Sequence, residues 1–221
     1  GEDASHIKKS LRMRQGEELT LVSSDGYEHQ CTIIGFSEEG VEVNILAKTE
    51  TAQEPDVRVT LYQALTKGDK MDFIVQKAVE LGVSEIVPVI TNRCISRPDD
   101  KSIGKKLVRW QKIALGAAQQ SRRGIVPIVS PMLTLNEAGK KACENSTAIV
   151  FYECGGESLN GILEKAGSNI SIFIGSEGGF EAEEIDMLKS HGVMSATLGK
   201  RILRAETAPL AALSAIMFFT G

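Results

Sequence analysis

The sequence is poor in the residues that build disulfide scaffolds and metal centres. Four cysteines stand among 221 residues, Cys31, Cys94, Cys143 and Cys154, and no pair is spaced as CxxC or CxxH. A structural zinc site is therefore disfavoured, and cysteine this sparse fits a reducing cytosol. The three histidines, His6, His29 and His191, lie far apart, so no metal is expected. The longest apolar stretch runs from Ala208 to Phe219. It falls short of the ~20 residues that span a bilayer. The chain opens on the polar run Gly1-Glu2-Asp3-Ala4-Ser5 and not on a secretory leader. No membrane association is expected, and the location expected is cytoplasmic. The signatures GxxxxGK[ST], GxGxxG and GxSxG are absent as well, which argues against a P-loop, a dinucleotide fold and an α/β-hydrolase.

What is present is ordinary in bulk and uneven in detail. Hydrophobic residues make up 42% and charged residues 24%, which excludes disorder, collagen and a disulfide mini-scaffold. The length allows one large domain or two small ones. Formal charge is −4, from 25 basic and 29 acidic residues, so general polyanion binding is not indicated. The average hides a split. Residues 1–70 hold 8 basic against 13 acidic residues, whereas Arg93 to Arg123 holds nine basic residues against Asp99 and Asp100. A second run, Lys8, Lys9, Arg12 and Arg14, has no acid among residues 4–16. Local basic patches bind phosphate backbones even on an acidic protein. A solvated helix face is the alternative reading for either run.

Two rhythms divide the chain. After a short helix expected over 5–14, residues 18–22, 29–36 and 41–46 alternate or run apolar between the turn signals Ser24-Asp25-Gly26 and Glu38-Glu39-Gly40. That spacing predicts a small β-barrel or sandwich. Residues 49–56 read as a polar linker. Beyond them strand and helix alternate. Residues 57–65 predict a strand. Apolar positions 71, 74, 75, 78 and 79 then predict a helix, closed by Gly82. Strands at 85–91, 125–129, 148–152 and 171–174 follow, with a basic helix and two shorter ones between them. The pattern predicts an α/β domain with a mostly parallel sheet. The last segment, 206–219, is apolar on most sides and belongs in a core or an interface. Trp110, on an apolar helical spacing, is read as core. Cys94 and Cys154 are read as small buried hydrophobes.

Two glycine loops leave short strands near the C-terminus: Gly175-Ser176-Glu177-Gly178-Gly179-Phe180 and Leu198-Gly199-Lys200-Arg201-Ile202-Leu203-Arg204-Ala205-Glu206-Thr207-Ala208. In α/β folds, ligands bind at the carboxyl ends of strands, and glycine lets backbone come close to a ligand. One such loop would read as a tight turn; two, each feeding a helix, favour a shared ligand site. Glu181, Glu183 and Glu184 start the helix after the first loop and would repel a phosphate. A ligand with a positive centre and an adenine fits better.

These loops resemble the Gly-Pro-Glu-Gly-Gly-Phe and Leu-Gly-x-Arg-Ile-Leu-Arg-x-Glu-Thr-Ala motifs of the RsmE family of 16S ribosomal RNA uridine-N3 methyltransferases, in the SPOUT superfamily. Leu65 to Asp72 and Gln76 to Val83 resemble its central motif, Gln119 to Arg123 with Pro127 its Gln-Ser-x-Arg region, and His6 with Leu11 to Gly16 its N-terminal domain. Ser176 stands where the family has proline. Family members also carry a strand ahead of His6, so either a preceding segment or that strand is missing from the sequence.

The resemblance implies a PUA-like β-barrel over 1–55 that helps hold RNA. Over 56–221 it implies a SPOUT methyltransferase domain with a C-terminal trefoil knot. It implies a homodimer that uses S-adenosylmethionine to methylate uracil N3 of a uridine in 16S ribosomal RNA, free or within the small ribosomal subunit. By matching position, Ile174, Gly175, Glu177, Gly178, Gly179, Leu198, Gly199, Ile202, Leu203 and Thr207 are the expected cofactor contacts. Arg204 is expected to steady charge on the uracil oxygens, the alternative being a structural pair with Glu206 or Glu177. Glu206 is a candidate base, against a role capping its own helix. His6, Arg12, Arg14, Arg93, Arg97, Arg122 and Arg123 are the expected RNA contacts. A non-catalytic ribosome assembly factor and a SPOUT enzyme acting on transfer RNA are the alternatives.

Overall fold

The computed structural model describes residues 2–23, 26–50, 53–144 and 146–220; the side chains of Glu2, Asp3, His6 and Asp100 lie outside the described set. The expected turn at Ser24 and Asp25 also lies outside it. The chain forms two compact units, 1–54 with 122–125, and 55–121 with 126–221.

The first unit opens on a helical turn, α1 (Glu2–Ser5), continued by a π-helical turn over His6–Ser10. The expected helix over 5–14 thus starts earlier and stops sooner, and Arg12 takes φ +53° just beyond it. Strands β1 (Glu18–Ser23), β2 (Tyr27–Phe36) and β3 (Val41–Glu50) form an antiparallel meander in the order β1-β2-β3. The segment read as a linker from residue 49 begins as the end of β3, because Tyr27 and Glu28 still pair with Glu50 and Thr49. Cys31 and Ile33 on β2 are buried. Residues 122–125 join this unit through Arg123, whose guanidinium is on the Glu54 carboxylate.

The second unit is a parallel sheet covered by helices on both faces. Its strands are β4 (Arg58–Ala64), β5 (Glu85–Ile90), β6 (Ile128–Val129), β7 (Leu133–Thr134), β8 (Thr147–Phe151), β9 (Asn169–Ile174) and β10 (Met194–Ala196). They run in the order β10-β8-β9-β4-β5-β6, with β7 also on β5. Of the expected strand over 125–129 only Ile128–Val129 forms, as β6, and β7 lies beyond it and was not expected. Helices α2 (Lys70–Glu80), α3 (Asp100–Gln120), α4 (Leu135–Cys143), α5 (Leu159–Leu163), α6 (Ala182–Ser190) and α7 (Ala208–Thr220) connect or follow them.

The period of two along each strand sorts side chains into two cores. Val59 and Leu61, Ile149 and Phe151, and Ile170 and Ile172 join a core with Ile74, Trp110, Ile162 and Leu213 from α2, α3, α5 and α7. Tyr62, Val150 and Phe173 join a core with Ala138 and Leu188 from α4 and α6. Buried on both faces, these strands read as continuous apolar runs, as parallel strands do. Tyr62 and Phe173 stack at 4.6 Å between neighbouring strands. Burial, and next the charge of Glu85, push the Tyr62 hydroxyl up to about 12, so it stays neutral. Trp110 is buried and its Nε1 donates to Asp72 at 3.0 Å. Cys94 is buried as expected, whereas Cys154 is exposed because it lies in the loop beyond β8. Gly82 closes α2 at φ +92°, where a Cβ would stand 2.7 Å from Pro55 Cγ.

Candidate functional site

Strand order decides where the loops meet. The chain moves outward from β4 to β5 and β6, returns at β8, and inserts β9 beside β4. The loops leaving β4, β8, β9 and β10 therefore open at the same carboxyl edge, where open α/β sheets bind ligands. They line a cleft of about 360 Å³ with Lys70, Phe151, Glu153, Ile174 to Phe180, Ile202 to Ala205, and Ala208. A smaller lobe of about 80 Å³ shares Phe151, Glu153, Ile202, Leu203 and Ala208, and adds Leu198 and Gly199.

The wall from Gly175 to Phe180 is braced by its carbonyls. Gln63, fully buried, donates from Nε2 to Gly175 O at 3.3 Å, and Arg93 donates from Nη1 to Gly178 O at 2.8 Å. Gly179 N–H returns to Ser176 O at 3.0 Å. Glycine is required at two places. Gly179 sits at φ +69°, and a Cβ on Gly175 would stand 3.0 Å from Gly179 Cα. Beyond this wall, Glu181 and Glu184 form a capping box at the start of α6. Glu184 is buried, and its carboxylate accepts from the N–H groups of Asn92 and Glu181. These acids therefore hold α6 in place.

A lysine links the two glycine loops. Lys70 Nζ lies 3.2 Å from Glu177 and 3.1 Å from Glu206. Those contacts, Glu206 first, pull the ammonium up from its ordinary value. Glu206 is held below the usual carboxylate range by its own backbone N–H and then by Lys70. Partial burial pushes Glu177 up, but hydrogen bonds from its own N–H, from Lys67 N–H and from Lys70 outweigh it. The net shift is downward.

The residues present suit a ligand with an apolar ring and a positive centre. Ile202 lines the cleft while 85% exposed. Ser176 Oγ, also in the lining, is buried without a hydrogen-bond partner among the described residues. Glu153 and Glu177 supply negative charge. Among the described residues no three His, Cys, Asp or Glu side chains group as a metal site would need, and no helix is long and apolar enough to cross a membrane.

Comparison with known proteins fits this geometry. The RNA methyltransferase domain family matches residues 53–217, and the RNA methyltransferase PUA domain matches residues 1–46. The chain belongs to the RNA methyltransferase family. Ribosomal RNA small subunit methyltransferase E of Bacillus subtilis (strain 168) is 34% identical to it, over 100% of this chain and 89% of its own length. The crystal structure of the same-named protein from Neisseria gonorrhoeae, bound to S-adenosyl methionine, is 36% identical with a TM-score of 0.88, covering 98% of this chain and 89% of that one. A Legionella pneumophila protein in complex with the bound cofactor SAM is 33% identical with a TM-score of 0.84, covering 97% and 88%.

In this RNA methyltransferase the cleft gathers nine of the ten expected cofactor contacts. Ile174, Gly175, Glu177, Gly178, Gly179, Ile202 and Leu203 line the main lobe, and Leu198 and Gly199 the smaller one. Thr207 lines neither, since its N–H already turns back to Arg204 O at 2.9 Å as α7 begins. Arg204 lines the main lobe, exposed. Its guanidinium makes no ion pair with Glu177 or Glu206 of the kind Lys70 makes.

The expected RNA contacts divide. Arg12 and Arg14 are exposed in the first unit, and Arg122 is exposed at φ +59°. Arg93 and Arg97 follow β5. Arg93 braces Gly178, and Arg97 donates to the Asn92 carbonyl at 3.0 Å; both keep exposed surface. The His6 side chain lies outside the described residues. Arg123 is a correction. Its side chain is 4% exposed and its Nη2 stands 2.7 Å from Glu54, so it is a staple of the first unit and offers no charge to RNA. Sequence reasoning missed Lys70, Glu153, Phe151 and Gln63. The signal for them was position: Gln63 and Phe151 lie at the ends of strands 58–64 and 147–151, Lys70 and Glu153 follow those strands, and Lys70 also falls in the Leu65 to Asp72 motif.

Proposed function

We propose that this chain uses S-adenosylmethionine to methylate uracil N3 of a uridine in 16S ribosomal RNA. The cleft between the two glycine loops, at the carboxyl edge of the sheet, carries the reading. The names of its relatives and the cofactor in two related structures support it. Ile174, Gly175, Glu177, Gly178, Gly179, Leu198, Gly199, Ile202 and Leu203 would hold the cofactor, which supplies an electrophilic methyl group when bound. The peptides at Gly175 and Gly179 bring backbone close to it. Ile202 offers an apolar face to adenine, and Ser176 Oγ gains the partner it lacks.

The imide nitrogen attacks only after its proton leaves, and negative charge then spreads to O2 and O4 of the ring. Arg204, free of ion pairs to the cleft carboxylates, can fork onto those oxygens. Glu206, tied to Lys70 and to its own N–H, is better suited to anchoring its loop than to taking the proton. Residues 1–55 serve as the RNA-holding domain and 56–221 as the catalytic domain. Arg12, Arg14, Arg93, Arg97 and Arg122 meet the phosphate backbone. The segment 197–207 threads a SPOUT knot, and the working form is a cytoplasmic homodimer. The exposed Phe218 and Phe219 on α7 offer apolar surface for the second copy.

A labelled-cofactor assay on free 16S RNA, assembled small subunits and transfer RNA, followed by mapping of the methylated atom, tests the proposal. Label on a uridine N3 of 16S RNA is expected. Arg204→Ala is expected to slow transfer more than it weakens cofactor binding. Label confined to transfer RNA or to a ribose hydroxyl refutes the target. Equal losses in Arg204→Ala refute the role of that residue.

A further inference from the structure

The cleft contains more negative charge than its own ion pairs consume. Glu153 and Glu177 line it, and Glu206 follows Ala205 in its wall. Glu177 and Glu206 share the Lys70 ammonium and are both held below the ordinary carboxylate range. Glu153 differs from both. Its side chain makes no hydrogen bond and no ion pair among the described residues, and it lines both lobes of the cleft.

Its place is nonetheless fixed. Glu153 comes two residues after the end of β8, and the Tyr152 N–H between them is bound to Ala196 O at 3.0 Å. Its carboxylate lies over Gly179, where a Cβ would be 2.9 Å from Oε1. The absence of a side chain at Gly179 thus admits the carboxylate as well as the positive φ. The result is an uncommitted carboxylate at the junction of the two lobes, in a lining it shares with Ile202 to Ala205. The proposed chemistry needs such a group, and no other carboxylate lining the cleft is free for it.

We propose that Glu153 is the proton acceptor of the methyl transfer. The inference rests on reading the target as an imide nitrogen. The N3–H bond breaks and its proton passes to a Glu153 oxygen. The electron pair left on N3 forms the bond to the methyl carbon, while the pair of the breaking carbon–sulfur bond stays with the donor's sulfur. Arg204, in the same lining, steadies the charge that reaches the uracil oxygens. RNA seated over Glu153 excludes water from it, and a desolvated carboxylate takes a proton more readily.

The test is Glu153→Gln, which keeps the shape and removes the basic oxygen. Glu153 is exposed, so the variant is expected to fold, and cofactor binding by calorimetry reports whether the cleft is intact. Cofactor affinity is expected to fall far less than the rate, since Glu177 keeps negative charge in the cleft. Single-turnover transfer is expected to fall by ~100-fold or more, the usual weight of a general base. RNA carrying 5-fluorouridine, whose N3–H is more acidic, is expected to restore about a tenfold part of that loss in the variant and to change the wild type little. Cofactor affinity falling in step with the rate would make Glu153 a cofactor contact. An unchanged rate, or a slow variant that the acidic base does not rescue, would overturn the proposal as well. Failure of the wild type to bind cofactor or to methylate N3 is seen without any variant and would instead overturn the function proposed above.

Discussion

Arg123→Ala separates a charge that holds the fold from a charge that meets RNA. The guanidinium reaches Glu54 through Nη2 at 2.7 Å and Nε at 3.4 Å, and Glu54 also accepts the Ile125 N–H at 3.0 Å. The side chains are 4% and 19% exposed. Removing one partner of a buried pair costs ~3–5 kcal/mol, because the other charge is left uncompensated. Here Glu54 keeps some water and one backbone donor, so the loss falls to about 2–4 kcal/mol. With a urea m value of roughly 2 kcal/mol per molar, the midpoint drops by about 1–2 M. Far-UV circular dichroism during urea titration reads this directly. Arg122→Ala removes the same charge from an exposed site and is expected to shift stability by under about 0.5 kcal/mol, while weakening RNA binding at low salt. Replacing both partners, Glu54→Gln with Arg123→Met, should recover part of the loss, since no buried charge remains. If Arg123→Ala unfolds at the wild-type midpoint yet loses RNA affinity as Arg122→Ala does, the guanidinium is open to RNA and the structural reasoning is wrong.

Two further outcomes follow from the cleft. Gly179→Ala forces a side chain into a left-handed backbone, at roughly 1–2 kcal/mol, and against the Glu153 carboxylate. Cofactor affinity measured by calorimetry should fall about tenfold or more, since each tenfold is 1.4 kcal/mol; unchanged affinity would show that the loop tolerates a Cβ. Glu177 and Glu206 titrate in the folded protein below their ordinary value of 4.5. Their stabilisation is therefore complete above that value and fades as pH drops through the folded-state values. Melting temperature followed downward from neutral pH should decline in that window, and less steeply in Lys70→Met. Parallel declines would mean that the lysine contributes nothing.

The sequence made the second unit legible because its strands are apolar on both faces and its helices carry a 3.6-residue stripe. Every strand expected there exists, with 125–129 shortened to β6, while the two-residue β7 and the bounds of the three-residue β10 were not expected. The two glycine loops were legible for a related reason: glycine clusters at the ends of strands have few other uses. Lys70 and Glu153 were not, because each lies more than twenty residues from the loop it serves. What brings them in is the adjacency of β4, β8 and β9, which no local pattern encodes. Arg123 was misread for the opposite reason. A count of positive charge treats every arginine alike, whereas Arg122 and Arg123 are neighbours in sequence with opposite exposure. The two basic runs remain a guide to RNA only after burial has removed the members that serve the fold.

The bracing of residues 175–180 bears on Ser176, where the motif that this loop resembles has proline. A proline ring stiffens a loop by limiting the unfolded chain. In this chain Gln63 and Arg93 clamp the Gly175 and Gly178 carbonyls from two other strand ends, so the loop keeps its shape without the ring. Among the described residues no side chain clamps the carbonyls of 198–203 in this way: the Thr197–Gly199 turn is local, Leu198 packs on the core, and Lys70 holds Glu206 just beyond. The cleft thus has one wall held by side chains from other strand ends and one held by Leu198 at its start and by Lys70 at its end. Entry and exit of a ligand are expected to move the second wall more than the first.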